Sequence, residues 1–68
     1  MKVDYNQDFE DIMTINDLCD HLHIERKKAY KICQLDTFPA IRIGKQYAIP
    51  RRLYLQWLRD NVGNQILL

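Results

Sequence analysis

Ala40-Ile41-Arg42-Ile43-Gly44-Lys45-Gln46-Tyr47-Ala48-Ile49-Pro50-Arg51-Arg52 is the stretch on which the reading of the whole chain turns. Ile41 and Ile43 alternate with Arg42, and Tyr47 and Ile49 alternate with Ala48, on either side of a break that begins with Gly44. Period-two alternation across a turn residue is the signature of a β-hairpin. Facing Ile43 to Tyr47 and Ile41 to Ile49 on one apolar side predicts a three-residue loop, Gly44-Lys45-Gln46. A strict Gly44-Lys45 turn would instead send the two isoleucines to the face opposite Tyr47 and Ile49. The expected hairpin has a basic tip carrying Lys45 and Gln46, with Arg42 on its outer side.

Helical signals flank the hairpin. Thr14 suits an N-cap, and Asp17 stands at the third helical position, where a carboxylate can reach back to the cap. Ile15, Leu18, Cys19 and Leu22 follow at i, i+3, i+4 and i+7, one apolar helical face. This helix is expected to end at His23, with Ile24 plugging the turn before a second helix from about Glu25 to Leu35. There Ala29, Ile32 and Cys33 form a narrow buried stripe, while Arg26, Lys27, Tyr30, Lys31 and Gln34 lie wholly or partly on the other side. Phe38-Pro39 forbids continuation of that helix. Beyond the hairpin, Pro50 is well placed to start a third helix. Tyr54, Trp57 and Leu58, with Leu55 and Val62 on an adjacent stripe, give it a wide apolar face, and Gly63-Asn64 stops it. Aromatic residues at helical spacing are read as packing, with Trp57 as a core anchor.

The resulting order is two short helices joined by a turn of about three residues, a hairpin, and a third helix. It is a mostly α fold with a small β-hairpin wing, a winged helix-turn-helix, in which the second helix enters the major groove of DNA. The charge is arranged accordingly. Residues 23–52 hold eight Lys and Arg against Glu25 and Asp36, a net of +6, while residues 1–22 hold Lys2 against six carboxylates, a net of −5. The overall +1 hides a dipolar molecule with a positive face suited to a polyanion. Candidate DNA contacts are Arg26, Lys27, Lys28, Tyr30 and Lys31 on the second helix, Arg42, Lys45 and Gln46 on the wing, and Arg51 and Arg52 where the third helix begins. A lysine at a wing tip adds affinity at phosphates or in the minor groove without reading the sequence.

Sixty-eight residues make one domain at most, with a marginal core and little room for an enclosed catalytic pocket. The expected organisation is an acidic arm over residues 1–12, a DNA-binding domain over 13–62 and a short apolar tail over 63–68. No apolar run approaches the roughly 20 residues that span a bilayer, and the acidic amino terminus lacks the features of a signal peptide, so a cytoplasmic protein is expected. Cys19 and Cys33 fall at apolar helical positions and are read as small core hydrophobes rather than a disulfide. Cys19 and His21, two apart on a helix, would point to different faces, which argues against a zinc site. No cofactor is expected, and no nucleophile-base arrangement or paired carboxylates indicate an enzyme. A protein-interaction adaptor using Tyr5, Phe9 and Ile66 to Leu68 is the rival class; substitution of Lys27, Lys31 and Lys45 would abolish DNA binding and spare an adaptor's partner.

From Met13 to Asn61 the chain resembles the excisionase-type helix-turn-helix domains, relatives of the MerR-type winged helix that occur in prophage and conjugative-transposon excisionases and small phage regulators. The resemblance is carried by Thr14, by Leu22-His23-Ile24-Glu25, by Lys28-Ala29-Tyr30-Lys31, by Leu55 and Trp57, and most specifically by Pro39-Ala40-Ile41-Arg42-Ile43-Gly44. His23 stands where that family's turn has glycine, a position where positive φ is wanted, and Glu25 replaces a serine cap. The resemblance implies a recombination directionality factor that binds neighbouring duplex sites, associates with itself cooperatively on DNA, bends the DNA and assists a tyrosine integrase. A transcriptional regulator of prophage or transposon genes would use the same fold and residues.

Overall fold

In the computed structural model, which describes residues 11–68, three helices and three short strands follow one another as β1 (Ile12–Met13), α1 (Ile15–Leu22), α2 (Arg26–Cys33), β2 (Ile41–Ile43), β3 (Gln46–Pro50) and α3 (Arg51–Asp60). The strands form an antiparallel sheet in the order β1-β3-β2, so that β3 is central. This is the mostly α architecture with a hairpin wing that the sequence predicts. Of the acidic arm, Asp11 and Ile12 are within the described residues; Tyr5 and Phe9 lie outside them. β1 is too short to show alternation, yet Met13 pairs with Ile49 and Ile12 with Pro50, which places the Met13 side chain in the core.

Local chemistry sets the helix boundaries. Thr14 Oγ1 accepts from the Asp17 N–H at 3.2 Å, and Asp17 Oδ2 accepts from the Thr14 N–H at 2.9 Å, a reciprocal cap that satisfies two otherwise orphaned donors. Hydrogen bonding to the carboxylate from the Thr14 N–H, and then from the Thr14 side chain, holds Asp17 below its ordinary pKa. His23 closes α1 in the left-handed conformation, φ 56° and ψ 46°, where glycine would be the relaxed choice. Ile24 is half-buried in the turn, and Glu25 caps α2 without a side-chain hydrogen bond.

The core joins the three helices to β3. Leu18 from α1, Ala29 and Ile32 from α2, Ile49 from β3, and Tyr54 and Trp57 from α3 are all buried. Phe38, in the connector after α2, stands edge-on to Trp57 at 4.8 Å and to Tyr54 at 6.0 Å between ring centroids. Each such side chain contributes about 1.5–3 kcal/mol on burial. The polar ends of the aromatics are matched: Tyr54 Oη and His21 Nδ1 share a hydrogen bond at 2.8 Å, and Trp57 Nε1 donates to Thr37 Oγ1 at 3.4 Å. Burial pushes the Tyr54 phenol above its ordinary pKa, with Arg51 pulling the other way. Cys19 and Cys33 are free thiols packed with the core, and burial, with Cys19 nearby, pushes the Cys33 thiol up to about 11.

Two expectations are corrected. The hairpin register is Ile43 to Gln46, Arg42 to Tyr47 and Ile41 to Ala48, which leaves only Gly44 and Lys45 in the turn. Gly44, at φ 60°, is followed by a residue without positive φ, the pattern of a type II′ turn whose twist suits the strands. Tyr47 and Ile49 keep the inner face. Arg42 shares that face with Tyr47, while Ile41 and Ile43 turn outward with 46% and 62% exposure. Turn geometry thus overrides apolar parity. The second correction is at the end of α3, which stops at Asp60: Asn61 leaves the helical conformation, at φ −103° and ψ 6°, and its side-chain amide caps the Trp57 carbonyl at 2.8 Å. Val62 therefore falls beyond the helix, 82% exposed, rather than on its apolar face. The tail residues Ile66, Leu67 and Leu68 are exposed as well.

Candidate nucleic-acid interface

The orientation of α2 follows from its buried stripe. With Ala29, Ile32 and Cys33 turned inward, a helix advancing about 100° per residue aims Lys27, Lys31 and Gln34 directly away from the core. These three are exposed. Arg26 and Tyr30 occupy the edge of the helix nearer the wing, and Lys28 the opposite edge. Substituting any of the outward lysines removes no core contact, so their presence is not explained by packing.

The wing is fastened to α2 through a run of aromatic and cationic contacts. The Arg26 guanidinium donates to Asn16 Oδ1 and to Tyr30 Oη, the latter at 3.2 Å, and lies 5.7 Å from the Tyr30 ring centroid. Tyr30 meets Tyr47 of β3 edge-on at 6.0 Å. Arg42 of β2 in turn lies 6.0 Å from the Tyr47 ring, and its Nε donates to the Gly44 carbonyl at 3.1 Å, which ties the arginine to the turn. Edge-to-face pairs contribute about 0.5–1.5 kcal/mol beyond area burial. The α2 edge and the hairpin are consequently joined through the Tyr30–Tyr47 contact.

Between them runs an open groove of about 250 Å³, lined from α1 by Thr14, Ile15 and Asn16, from α2 by Arg26 and Tyr30, and from the hairpin by Lys45, Gln46 and Tyr47. Its lining includes two cations and no carboxylate. Of the residues singled out from the sequence, Arg26, Tyr30, Lys45 and Gln46 meet in this groove, and Arg42 adjoins it through Tyr47. Lys27 and Lys31 lie on the adjoining outward face of α2, and Lys28 on the far edge. Arg51 and Arg52 are placed elsewhere: Arg51 Nε donates to Asp11 Oδ2 at 2.7 Å and its N–H to the Asp11 carbonyl at 2.9 Å, so that it ties β1 to the start of α3. Arg52 is exposed on the first turn of α3.

Thr14, Asn16 and Tyr47 belong to the groove although the sequence reading assigns the first to a helix cap and the last to an apolar face. A cap residue and its neighbour lie at a helix start, where polar side chains are common for local reasons, so nothing in their identity marks a shared surface. Among the described residues no three His, Cys, Asp or Glu side chains converge on a point suitable for a metal ion, and His21 is engaged by Tyr54. Among these residues, too, no helix is long and apolar enough to cross a membrane.

A family model described as a helix-turn-helix domain matches residues 12–62, from β1 to just past α3. No curated protein and no solved structure matches the chain.

Proposed function

Since this chain belongs to the helix-turn-helix domain family, we propose that it binds duplex DNA at specific sites and acts as an excisionase, a DNA-bending accessory to a tyrosine integrase in the excision of a mobile element. The observation that carries the DNA-binding part is the convergence of the α2 edge and the hairpin tip on one carboxylate-free groove, beside the outward lysines of α2. A helix of this width fits the major groove, and the hairpin then meets the flanking backbone or minor groove. The excisionase part is supported by the Pro39-Ala40-Ile41-Arg42-Ile43-Gly44 wing segment and the helix-turn-helix that precedes it.

In this reading the protein performs no covalent chemistry and works in the cytoplasm on nucleoid DNA. A single module of this kind buries only about 600–1,000 Å² on DNA. Useful occupancy then comes from copies bound side by side, or from an integrase that shares contacts. Bending a site costs of order 1–6 kcal/mol, which neighbouring copies supply through additional contacts. The test is a reconstituted recombination reaction with the integrase encoded nearest the gene. Excision stimulated by the protein, with stepwise protein–DNA species and bend-dependent mobility at the attachment site, is the expected result. Site-specific binding at a promoter with no effect on excision would replace the excisionase assignment by that of a transcriptional regulator.

A further inference from the structure

We infer that the groove between α2 and the hairpin holds one phosphodiester of the DNA backbone, shared by Arg26 and Lys45, and that Arg26 positions the protein on DNA instead of reading a base. The inference rests on the reading of the chain as a DNA-binding protein and assigns a role within that interface. An arginine at the start of a recognition helix is ordinarily a candidate base reader, because its fork matches the guanine O6 and N7 acceptors. Here the fork is turned sideways. It is held by Asn16 on one side and Tyr30 on the other, with its central carbon 5.7 Å from the Tyr30 ring centroid. Both partners are neutral, so the charge is oriented without being neutralised.

Lys45 has no carboxylate partner among the described residues either, and no acid lines the groove. The remaining polar groups are donors or can donate. The Thr14 side chain is engaged with Asp17 in the α1 cap, while the Asn16 and Gln46 amides each carry two N–H donors. Two unneutralised cations among amide donors suit an anionic acceptor such as a phosphate oxygen and repel a cation; the sideways hold on the Arg26 fork, not the donor set, is what argues against a base edge. The topology names the source of that anion. If α2 lies in the major groove and the hairpin meets the next groove along, the strand that separates the two must pass between them, where this site lies. The Tyr30–Tyr47 contact sets the gap to be spanned. The first helix thereby contributes to binding through Asn16, and base discrimination falls to the outward residues Lys27, Lys31 and Gln34.

The experiment compares full-length wild type with Arg26→Gln, Lys45→Gln and the double variant, on the specific duplex and on a scrambled one, with salt varied. Each neutralised phosphate contributes about −0.9 to the slope of log K against log salt. Two cations on one phosphate should therefore reduce the slope magnitude of the double variant by about 0.9, not the roughly 1.8 expected for two separate phosphates. Affinity should fall by the same factor on both duplexes, and Arg26→Lys should retain the slope. Scanning methylphosphonates through the site should find one position whose neutralisation weakens wild type and leaves the double variant unchanged. A changed base preference in Arg26→Gln, additive slope losses, or two distinct methylphosphonate positions would overturn the shared clamp while leaving DNA binding intact. Wild-type protein that binds neither duplex would overturn the DNA reading itself and this inference with it. Melting curves confirm that the exposed substitutions leave the domain folded.

Discussion

Replacing His21 with leucine is expected to destabilise the domain through Tyr54. That residue is fully buried, and its hydroxyl is bonded to His21 Nδ1 at 2.8 Å. With leucine at position 21 the phenol keeps its place in the core and loses its partner, a loss of about 1–3 kcal/mol for an orphaned hydroxyl. The edge-to-face contact of the two rings, at 5.4 Å, goes with it. Because His21 is itself exposed, water can reach the vacated position, which sets the expected loss near the lower end, about 1 kcal/mol. In a domain whose whole stability is roughly 3–10 kcal/mol, this lowers Tm by about 4–8 °C. Tyr54→Phe removes the hydroxyl and preserves the ring against Phe38, 6.0 Å away. His21→Leu made in the Tyr54→Phe background should then cost less than about 0.5 kcal/mol, as for an ordinary surface substitution. Urea unfolding followed by Trp57 fluorescence and by circular dichroism, with all four proteins giving the same m value, supplies the double-mutant cycle. Equal losses from His21→Leu in both backgrounds would refute the argument, since they would show that the hydroxyl had no unmet partner to lose.

Ile43→Thr should change stability by no more than about 0.5 kcal/mol in thermal melts, because the side chain faces outward in the two-residue-turn register; a loss above about 2 kcal/mol would restore the three-residue loop. Thr14→Ala should cost about 1 kcal/mol by urea unfolding through loss of the α1 cap. The lowered pKa of Asp17 stabilises the fold above the ordinary carboxylate range, and that contribution disappears as pH falls through the folded-state value; wild type and Asp17→Asn should therefore converge in Tm in strong acid and diverge toward neutrality. Cys33, with its thiol pushed up to about 11, should resist alkylation in the native state near pH 8 and react readily in urea. The raised value also means that its contribution to stability is intact below about pH 9, the unfolded thiol's range, and declines as pH rises toward 11; rapid labelling of Cys33 in native protein would show that the position opens to solvent.

The helix-turn-helix is legible because its signals are local. Thr14 and Asp17 announce a cap by type and spacing, His23 stands where a left-handed residue is needed, and Ala29, Ile32 and Cys33 give the inward face of α2 without reference to the rest of the chain. The hairpin exists where the alternation places it, but its register is decided by a competition that the alternation does not contain. Four apolar residues on one face argue for a longer loop. The positive φ of Gly44, and the placement of Arg42 beside Tyr47, favour the shorter one, and on an edge strand the isoleucines can be left outward. Periodicity alone likewise puts Val62 on an apolar face that the helix does not reach, because α3 is capped at Asn61. The groove was the least legible feature. Thr14 and Asn16 come together with Arg26 and Lys45 only through the packing of three separate elements, and no spacing rule links positions 16, 26 and 45.

The most direct measurement of the central claim is equilibrium binding of the purified protein to duplex fragments from its own genomic neighbourhood, with competitor DNA present and salt varied, for wild type and for a Lys27→Gln, Lys31→Gln, Lys45→Gln variant. The structure predicts site-specific binding by wild type that weakens steeply with salt, and a triple variant of unchanged fold whose affinity is at least about tenfold lower with a shallower salt dependence. Wild-type binding no stronger than competitor at low salt, or a triple variant that binds as wild type does, would contradict the assignment of α2 and the hairpin tip as the DNA-binding surface.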